Sequence, residues 1–384
     1  MKGMEILEAL ADIREDWLED AAPKGGKKPP RWVRAVSIAA CAALLMAFSG
    51  SLLLRFSAST AEQGSVQLPD APAASTAPVP ENQDSTQEAS EQEQFFACFY
   101  QLDRASMEAY VAAHPEVLNQ GWSGIQINEA GLEDTGTEIE TTQGDQVLAL
   151  DAKNGILLIR MVLEDGGASS RGVLAICKDT AQLRLCAASA LPASGETAGA
   201  ICEENSGLLA LTGSAFLDDG NSDGGALSGL AICSGTVLGT KMAENGRKRL
   251  ELRQDDRMYL VDSADPVGDG TRDACEFGPA LIVDGKNVAG DGGWNTPQPR
   301  AVIGQSDRLE SMMVVIEGRM TDSIGCGIAP IAEKLLEYGC VQAMNLDGGT
   351  SAILYYRGAY VTRCSNSALP EGRRLPTAWV YGHQ

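Results

Sequence analysis

From residue 95 onward, the chain alternates short apolar runs with turns rich in glycine and aspartate. Apolar runs of about four to eight residues between such turns are typical of buried β-strands. The runs that predict strands are residues 147–150, 155–162, 173–177, 208–211, 230–233, 280–283, 312–316 and 341–346. A hairpin is predicted where residues 351–356 and 359–362 flank Arg357-Gly358.

Two other segments have the periodicity of helices. Residues 328–338 place their apolar side chains on one face, and Gly339 follows at a position where glycine commonly ends a helix. Residues 198–203 predict a shorter helix. Because strands outnumber helices and do not alternate with them regularly, the pattern predicts a single α+β domain over 95–384, with a mixed β-sheet and packed helices.

The longest apolar run lies near the N-terminus, where residues 35–54 contain no charged side chain. A helix of this length covers the bilayer core, which is about 30 Å thick. Basic residues are concentrated in 24–34, before the run, and only Arg55 follows it closely. This asymmetry predicts a single transmembrane anchor at 35–56, with residues 1–34 in the cytoplasm and the body extracellular. A cleaved signal peptide is the alternative, although the charged leader is longer than is usual for one.

The segments on either side of the predicted anchor differ in character. Within 1–34, apolar residues at helical spacing face acidic ones, which predicts a short amphipathic helix. This helix is interpreted either as lying against the membrane or as a docking peptide for a cytoplasmic partner. Residues 57–94 are rich in Ser, Ala, Pro, Glu and Gln and nearly lack large apolar side chains, which predicts a disordered linker.

Composition narrows the chemistry. The chain has 52 acidic and 30 basic side chains and a net charge of −22, which argues against nucleic acid as a partner. With only two histidines, His114 and His383, histidine-rich metal sites and most histidine-based catalytic triads are unfavourable. No metal site and no cofactor are therefore predicted. The ten cysteines include no Cys-x-x-Cys pair, so a dense disulfide framework is not expected.

The most distinctive polar motif ends the predicted strand 341–346. It is Asn345-Leu346-Asp347-Gly348-Gly349, in which an acid and two glycines follow a strand and allow a ligand to approach the backbone closely. Glu317 and Arg319 follow another predicted strand, and Arg300 begins a further apolar run. Because arginine is the preferred two-point partner of phosphate, these residues predict an anion-binding site.

An ordered series of motifs resembles the phosphodiester glycosidase family. The series comprises GPALIVDGK (278–286), PRAVIGQ (299–305), MMVVIEGR (312–319), EKLLEYGC (333–340) and MNLDGGTSAILYYRG (344–358). Matching segments also occur upstream, as ALTGSAF (210–216) and GLAICSGTVL (229–238), and at the end, as RRLPTAWVYG (373–382). The resemblance covers residues 145–384.

The resemblance implies a hydrolase that cleaves a sugar–phosphodiester bond in a surface glycan or related glycoconjugate. Together with the anchor predicted at 35–56, it describes a membrane-anchored, extracellular enzyme. Such a reaction passes through an oxocarbenium-like state that carboxylates stabilise, while arginines hold the departing phosphate. The resemblance implies Asp347 and Glu317 as the catalytic carboxylates. The implied substrate contacts are Arg300, Arg319, Gln305, Asn345, Gly348, Gly349, Thr212 and Gly213.

The chain departs from the family pattern at three positions. Ala301 replaces a threonine, Glu317 replaces an aspartate, and Thr212 replaces an asparagine. The alternative function is therefore a non-catalytic cell-surface protein that binds a glycan or signals through residues 1–34. Residues 219–224 match the opening of a calcium loop but lack the bidentate glutamate that closes an EF-hand, which leaves a plain turn or a looser calcium site open.

Overall fold

A computed structural model describes residues 91–115, 138–217, 223–240, 247–290 and 292–382. All of them belong to Ala89–Gln384, one of the two compact units into which the chain divides. The predicted helix in 1–34, the predicted anchor at 35–56 and the predicted linker up to residue 90 lie outside the described residues. None of the described helices is long and apolar enough to cross a membrane.

The described residues form eighteen strands, and every pairing between them is antiparallel. The strands are β1 (Val147–Asp151), β2 (Ile156–Asp165), β3 (Ala168–Cys177), β4 (Leu183–Ala187), β5 (Leu209–Thr212), β6 (Leu230–Cys233), β7 (Thr236–Gly239), β8 (Lys248–Arg253), β9 (Met258–Asp262), β10 (Thr271–Phe277), β11 (Ala280–Val283), β12 (Lys286–Asn287), β13 (Arg300–Ser306), β14 (Ser311–Ile316), β15 (Cys340–Leu346), β16 (Leu354–Tyr356), β17 (Ala359–Tyr360) and β18 (Thr377–Tyr381).

These strands make three sheets. The largest has the order β1-β2-β3-β14-β13-β15-β11-β12, and the two five-stranded sheets have the orders β7-β6-β10-β8-β9 and β17-β16-β5-β18-β4. Side chains alternate between the two faces of a strand. Along β13, Val302 belongs to one apolar cluster, whereas Ala301 and Ile303 belong to another. The large sheet is therefore buried on both faces.

Three of the four described helices lie on one of these faces. The helices are α1 (Glu91–Phe96), α2 (Arg104–Ala113), α3 (Ala198–Glu204) and α4 (Ile328–Glu337), of which α3 packs instead on the small sheet that contains β5 and β18. Ile331 and Leu335 of α4 lie in the same cluster as Val302 of the large sheet. Leu211 of β5 and Leu250 of β8 lie in the cluster on the opposite face. The domain thus has a helical layer, the large sheet and a layer made by the two small sheets.

The two N-terminal helices pack at the end of the large sheet where β13 turns into β14. Phe95 of α1 and Met107 of α2 are buried in the cluster beneath α4. Between them, Gln101 donates through Nε2 to Oε2 of Glu310 at 3.0 Å, and burial raises the pKa of the Glu310 carboxyl. Helix α1 includes residues 91–94, which the sequence assigned to the linker, so folded structure begins earlier than predicted.

The predicted elements agree with the structure in most places. Every strand predicted from an apolar run overlaps a strand, and the helices predicted at 198–203 and 328–338 are present as α3 and α4. The predicted hairpin is shorter, because residues 349–351 form a 3₁₀ turn before β16. The α+β class is confirmed only in its broad form, since the domain is mostly β with few helices. The apolar runs predict no strand at β4, β7, β8, β9, β10, β12 or β13.

Candidate active site

Three adjacent strands of the large sheet bring the predicted site residues together. β13 lies between β14 and β15, and the antiparallel register sets Arg300 opposite Ile316 and Ala301 opposite Leu346. The start of β13 therefore meets the ends of β14 and β15. Seven predicted site residues lie within three residues of these strand ends: Arg300, Glu317, Arg319, Asn345, Asp347, Gly348 and Gly349.

Asp347 begins a short loop whose backbone is held close to the start of β13. Its side chain is half-buried, and its Oδ2 accepts a hydrogen bond from the Ser351 hydroxyl at 2.6 Å. A Cβ on Gly348 would lie 2.5 Å from the carbonyl oxygen of Pro299, so a larger residue would displace the backbone. Gly349 has a φ of +57°, which favours glycine, and its N–H donates to the same carbonyl at 3.3 Å. The two glycines thereby fix the position of Asp347.

Arg319 lies beside this loop. Its Nε and Nη2 donate to Oε1 of Gln298 at 3.0 and 2.8 Å, and its Nη1 lies 3.5 Å from the place where a Cβ on Gly349 would stand. Burial lowers the pKa of Arg319, and the negative charge of Asp347 opposes this effect. Arginine nevertheless stays charged at neutral pH. A cationic group and a carboxylate therefore stand together at the glycine-rich loop.

The backbone that carries Gln298 is enclosed by glycines from two neighbouring segments. A Cβ on Gly325 would lie 2.4 Å from the carbonyl oxygen of Gln298, and the φ of Gly325 is +96°. A Cβ on Gly318 would lie 2.6 Å from the nitrogen of Pro299. These close approaches fix the position of the Gln298 backbone. The Gln298 side chain in turn orients the Arg319 guanidinium.

Glu317 is fully buried and is paired with Arg363. Its Oε1 accepts from the backbone N–H of Arg363 at 2.6 Å, and its Oε2 accepts from Nε and Nη2 at 2.9 and 2.6 Å. Arg363 also forms an ion pair with Asp322 at 3.0 Å. Both oxygens of Glu317 are thus used to hold the segment around Arg363 against the sheet. Its predicted catalytic role stays a prediction, which these contacts argue against.

Arg300 is buried on the helix-covered side of the large sheet. Its Nε donates to the carbonyl oxygen of Cys326 at 3.1 Å, and its Nη2 donates to those of Trp294 and Thr296 at 2.7 and 2.9 Å. The guanidinium expected to bind a phosphate at two points therefore donates its hydrogen bonds to backbone carbonyls. Its role in phosphate binding also stays a prediction that the contacts do not favour.

Gln305 lies at the other end of β13 from the loop, about 17 Å away for five residues of strand. Its Nε2 donates to the Thr180 hydroxyl at 3.1 Å and to the carbonyl of Asp256 at 2.6 Å, while its Oε1 accepts from the N–H of Met258 at 2.9 Å. These contacts join β13 to neighbouring loops. The structure does not bring Gln305 to the predicted site, because the strand separates them.

The remaining predicted contacts are buried within the sheets. Asn345 donates through Nδ2 to the carbonyl of Gly278 at 3.0 Å, which positions the start of β11. Thr212 is fully buried at the end of β5, and a Cβ on Gly213 would lie 2.3 Å from the hydroxyl of Thr377. The Oδ1 of Asn345 and the Oγ1 of Thr212 have no hydrogen-bond partner among the described residues. Their predicted contact with substrate stays a prediction.

Three residues of this site were not singled out from the sequence. They are Ser351, which binds Asp347, Gln298, which binds Arg319, and Arg363, which binds Glu317. Ser351 lies within the quoted motif and could have been found from its spacing to Asp347. Gln298 and Arg363 carry no local signal, because their partners are distant in sequence.

The described residues contain neither a candidate metal cluster nor a disulfide. Within the described residues, no group of three histidine, cysteine or acidic side chains is placed to hold a metal ion. Residues 218–222, which include most of the segment that matches the opening of a calcium loop, lie outside the described residues. The nine described cysteines are free thiols, and most are buried.

The fold and this site together define a mostly-β domain in which a carboxylate on a glycine-rich loop stands beside a guanidinium from the end of an adjacent strand. Residues 206–381 match the family model described as phosphodiester glycosidase. This match contains both segments that carry Asp347 and Arg319, and it confirms the resemblance inferred from the order of motifs. A phosphodiester glycosidase-like domain therefore occupies the C-terminal part of the chain.

A solved structure shares this fold. The catalytic domain of zebrafish N-acetylglucosamine-1-phosphodiester alpha-N-acetylglucosaminidase, auto-inhibited by its pro-peptide, aligns with a TM-score of 0.51 and 16% identity. The alignment covers 60% of this chain and 83% of the zebrafish chain. The SPbeta prophage-derived uncharacterized protein YomE of Bacillus subtilis (strain 168) is 30% identical over 110 residues, which make up 28% of this chain and 17% of that protein. The chain thus matches less than a fifth of the length of its Bacillus relative.

Proposed function

We propose that this protein is a membrane-anchored, extracytoplasmic phosphodiester glycosidase. Its substrate is a sugar–phosphodiester bond in a surface glycan or a related glycoconjugate. The observation that carries the proposal is that Arg319 lies beside the glycine-rich loop that begins with Asp347. Both residues fall within the segment that matches the family model. The membrane anchor and the outside location rest on the apolar run at 35–54 and the basic residues before it.

The two side chains suit the two halves of such a substrate. Arg319 supplies a guanidinium for the phosphate, which departs with the electron pair of the bond to the anomeric carbon. Asp347 stabilises the positive charge that develops on the sugar, and acts either as the nucleophile or as the base for the attacking water. The Ser351 hydroxyl donates to one oxygen of Asp347 and holds the carboxylate in place. Because a phosphate monoester is a good leaving group, a strong general acid is not required.

A second candidate is a glycan-binding protein without turnover. The pairing of both oxygens of Glu317 with Arg363 favours it, because glycosidases normally use two carboxylates. On this alternative, Arg319 and Asp347 bind a phosphorylated sugar without breaking the bond. The glycosidase is expected to turn over its substrate and the binding protein is not, whereas both are expected to bind sugar phosphates.

The full chain and its Asp347→Asn variant distinguish them. On a synthetic sugar 1-phosphodiester, we expect the variant to lose at least about 10³-fold in kcat/KM, about 4 kcal/mol, while its melting temperature stays close to that of wild type. Asp322→Asn is the matched control, because Asp322 is an exposed carboxylate at the same end of the sheet and pairs only with arginines. It should keep the wild-type rate.

Three results would change this assignment. Wild-type protein that binds sugar phosphates without turnover would favour the binding protein. A folded Asp347→Asn variant with normal turnover would remove Asp347 from catalysis. An equal loss in the Asp322→Asn control would show that the rate depends on general electrostatics at this end of the sheet.

A further inference from the structure

A second arginine meets the glycine-rich loop from the other side. The backbone N–H of Arg373 donates to the carbonyl of Thr350 at 3.2 Å, three residues beyond Asp347. The preceding Gly372 has a φ of +76°, and a Cβ there would lie 3.1 Å from the same carbonyl. Only a glycine allows this approach without strain. The chain is therefore shaped to bring Arg373 against the loop.

The side chain of Arg373 extends toward a different segment. Its guanidinium carbon lies 4.6 Å from the centroid of the Phe216 ring, within the distance of a cation–π contact. Phe216 follows Thr212 and Gly213 in the segment that leaves β5. Arg373 thus joins the two segments that the family resemblance marked as substrate contacts, the loop at Asp347 and the segment at 212–216.

The next residue gives a contrast within the same stretch of chain. Arg374 directs its Nη1 to the hydroxyl of Ser194 and the carbonyl of Gly195, at 3.0 and 3.2 Å. Neighbouring residues of an extended chain point to opposite sides. Of two adjacent arginines, one is therefore held over the segment at 212–216 and the other is held on a separate surface loop.

Arg319 and Arg373 are kept apart by different anchors. Gln298 holds the guanidinium of Arg319, whereas the ring of Phe216 lies under that of Arg373. The Arg319 guanidinium lies beside the glycine-rich loop, and the backbone of Arg373 contacts the same loop at Thr350. Two arginines near one loop favour an anionic ligand there, in a chain whose net charge is −22.

We infer that Arg373 is a specificity-determining residue that binds a second anionic group of the substrate, beyond the phosphate held by Arg319. The inference rests on the proposed function, because it assigns Arg319 to the scissile phosphodiester. The substrate class becomes a sugar phosphodiester that carries a further phosphate or carboxylate, as in an anionic glycan with repeated charges. A guanidinium stacked on an aromatic ring is preorganised for such a two-point contact.

Binding measurements on the full chain test this inference without requiring turnover. The probes are glucose 1-phosphate and glucose 1,6-bisphosphate, compared by calorimetry at constant ionic strength. We expect wild-type protein to bind the bisphosphate at least about tenfold more tightly than the monophosphate, about 1.4 kcal/mol, because one charge-assisted contact is added. Arg373→Gln should reduce this preference to about threefold or less, and Arg374→Gln should leave it unchanged.

If the Arg373→Gln variant is unstable, Arg373→Lys provides a second variant for the same binding measurement. It retains the charge and the long stem, so we expect the preference to be reduced but not lost. Wild-type protein that binds the two probes equally, or binds neither, overturns the inference. A preference that survives in a folded Arg373→Gln variant, or that is lost equally in Arg374→Gln, overturns it as well.

Failure of this inference and failure of the proposed function give different results. Turnover of a singly charged phosphodiester with no preference between the two probes refutes the second anion subsite and leaves the glycosidase in place. A preference that depends on Arg373, without turnover of any phosphodiester, supports the subsite and refutes hydrolysis.

Discussion

At the scale of single residues, Arg300 shows how neighbours decide the role of a side chain. Its guanidinium joins the carbonyls of Trp294, Thr296 and Cys326, which belong to two separate segments. A lysine keeps the charge but cannot reach all three acceptors from one ammonium group. We expect Arg300→Lys to lower the free energy of unfolding by about 1–3 kcal/mol and to leave kcat/KM of the folded protein within about threefold. Denaturant unfolding and steady-state kinetics measure the two effects.

The matched control is Arg257→Lys, because Arg257 is exposed and lies outside the site. It should change neither quantity. The opposite outcome for Arg300→Lys, normal stability with a large loss of kcat/KM, would restore Arg300 as a phosphate-binding residue.

The same scale shows which site residues a sequence can reveal. Asp347 and its two glycines form a contiguous motif, so both the acid and the tight backbone approach were predicted. The pairing of Glu317 with Arg363 was not, because the partners are 46 positions apart and Arg363 stands in no recognisable pattern. Gln305 was assigned to the site because it belongs to the same motif as Arg300. It lies five residues further along β13, which places it at the far end of the sheet.

At the scale of elements, the turn that follows β14 positions Arg319 through its glycine. Gly325 has a φ of +96°, and a Cβ there would lie 2.4 Å from the carbonyl of Gln298. Gly325→Ala should therefore displace Gln298 and release its hydrogen bonds to Arg319. We expect kcat/KM on a phosphodiester to fall about tenfold or more, together with a loss of about 1–3 kcal/mol in stability.

Gly290→Ala is the control, because a Cβ at Gly290 meets nothing within 4 Å. This variant should keep both the rate and the melting temperature. A Gly325→Ala protein that is destabilised but fully active would mean that the orientation of Arg319 by Gln298 is irrelevant to the reaction.

Two of the strands that the apolar runs miss, β8 and β10, share one physical cause. Both carry charged residues inside the sheet, and these interrupt the apolar runs that reveal a buried strand. Arg249 and Glu251 of β8 are both fully buried and paired at 2.8 Å, and Glu276 of β10 lies 3.6 Å from the same arginine. Hydropathy assigns such residues to the surface, because it cannot see that each charge has a partner.

At the scale of the whole molecule, the site depends on an antiparallel register that joins distant segments. The start of β13 meets the ends of β14 and β15, which brings residues near 300, 319 and 347 to one end of the large sheet. The sequence supplied these residues but not their convergence, since the strand order of a sheet is a property of the complete fold. All three positions lie within residues 206–381, the segment that matches the family model.

The start of the folded body also limits where a protease can cut the chain. α1 begins at Glu91, and the phenylalanine pair Phe95 and Phe96 is buried beneath α4. A protease needs an accessible, extended segment, and buried residues in a helix do not provide one. Cleavage is therefore expected before residue 91, within the segment whose composition predicts a linker.

The last prediction concerns the proposed orientation in the membrane. If residues 1–34 are cytoplasmic and the body lies outside, a protease added to intact cells should cut between residues 57 and 90 and release a soluble fragment. Because the described residues from Glu91 onward belong to one compact unit, this fragment should retain the proposed phosphodiester glycosidase activity of the full chain. N-terminal sequencing and an activity assay of the supernatant measure both points. A cytoplasmic marker protein that stays intact provides the control, and a body that is cut only after cell lysis would place it inside the cell.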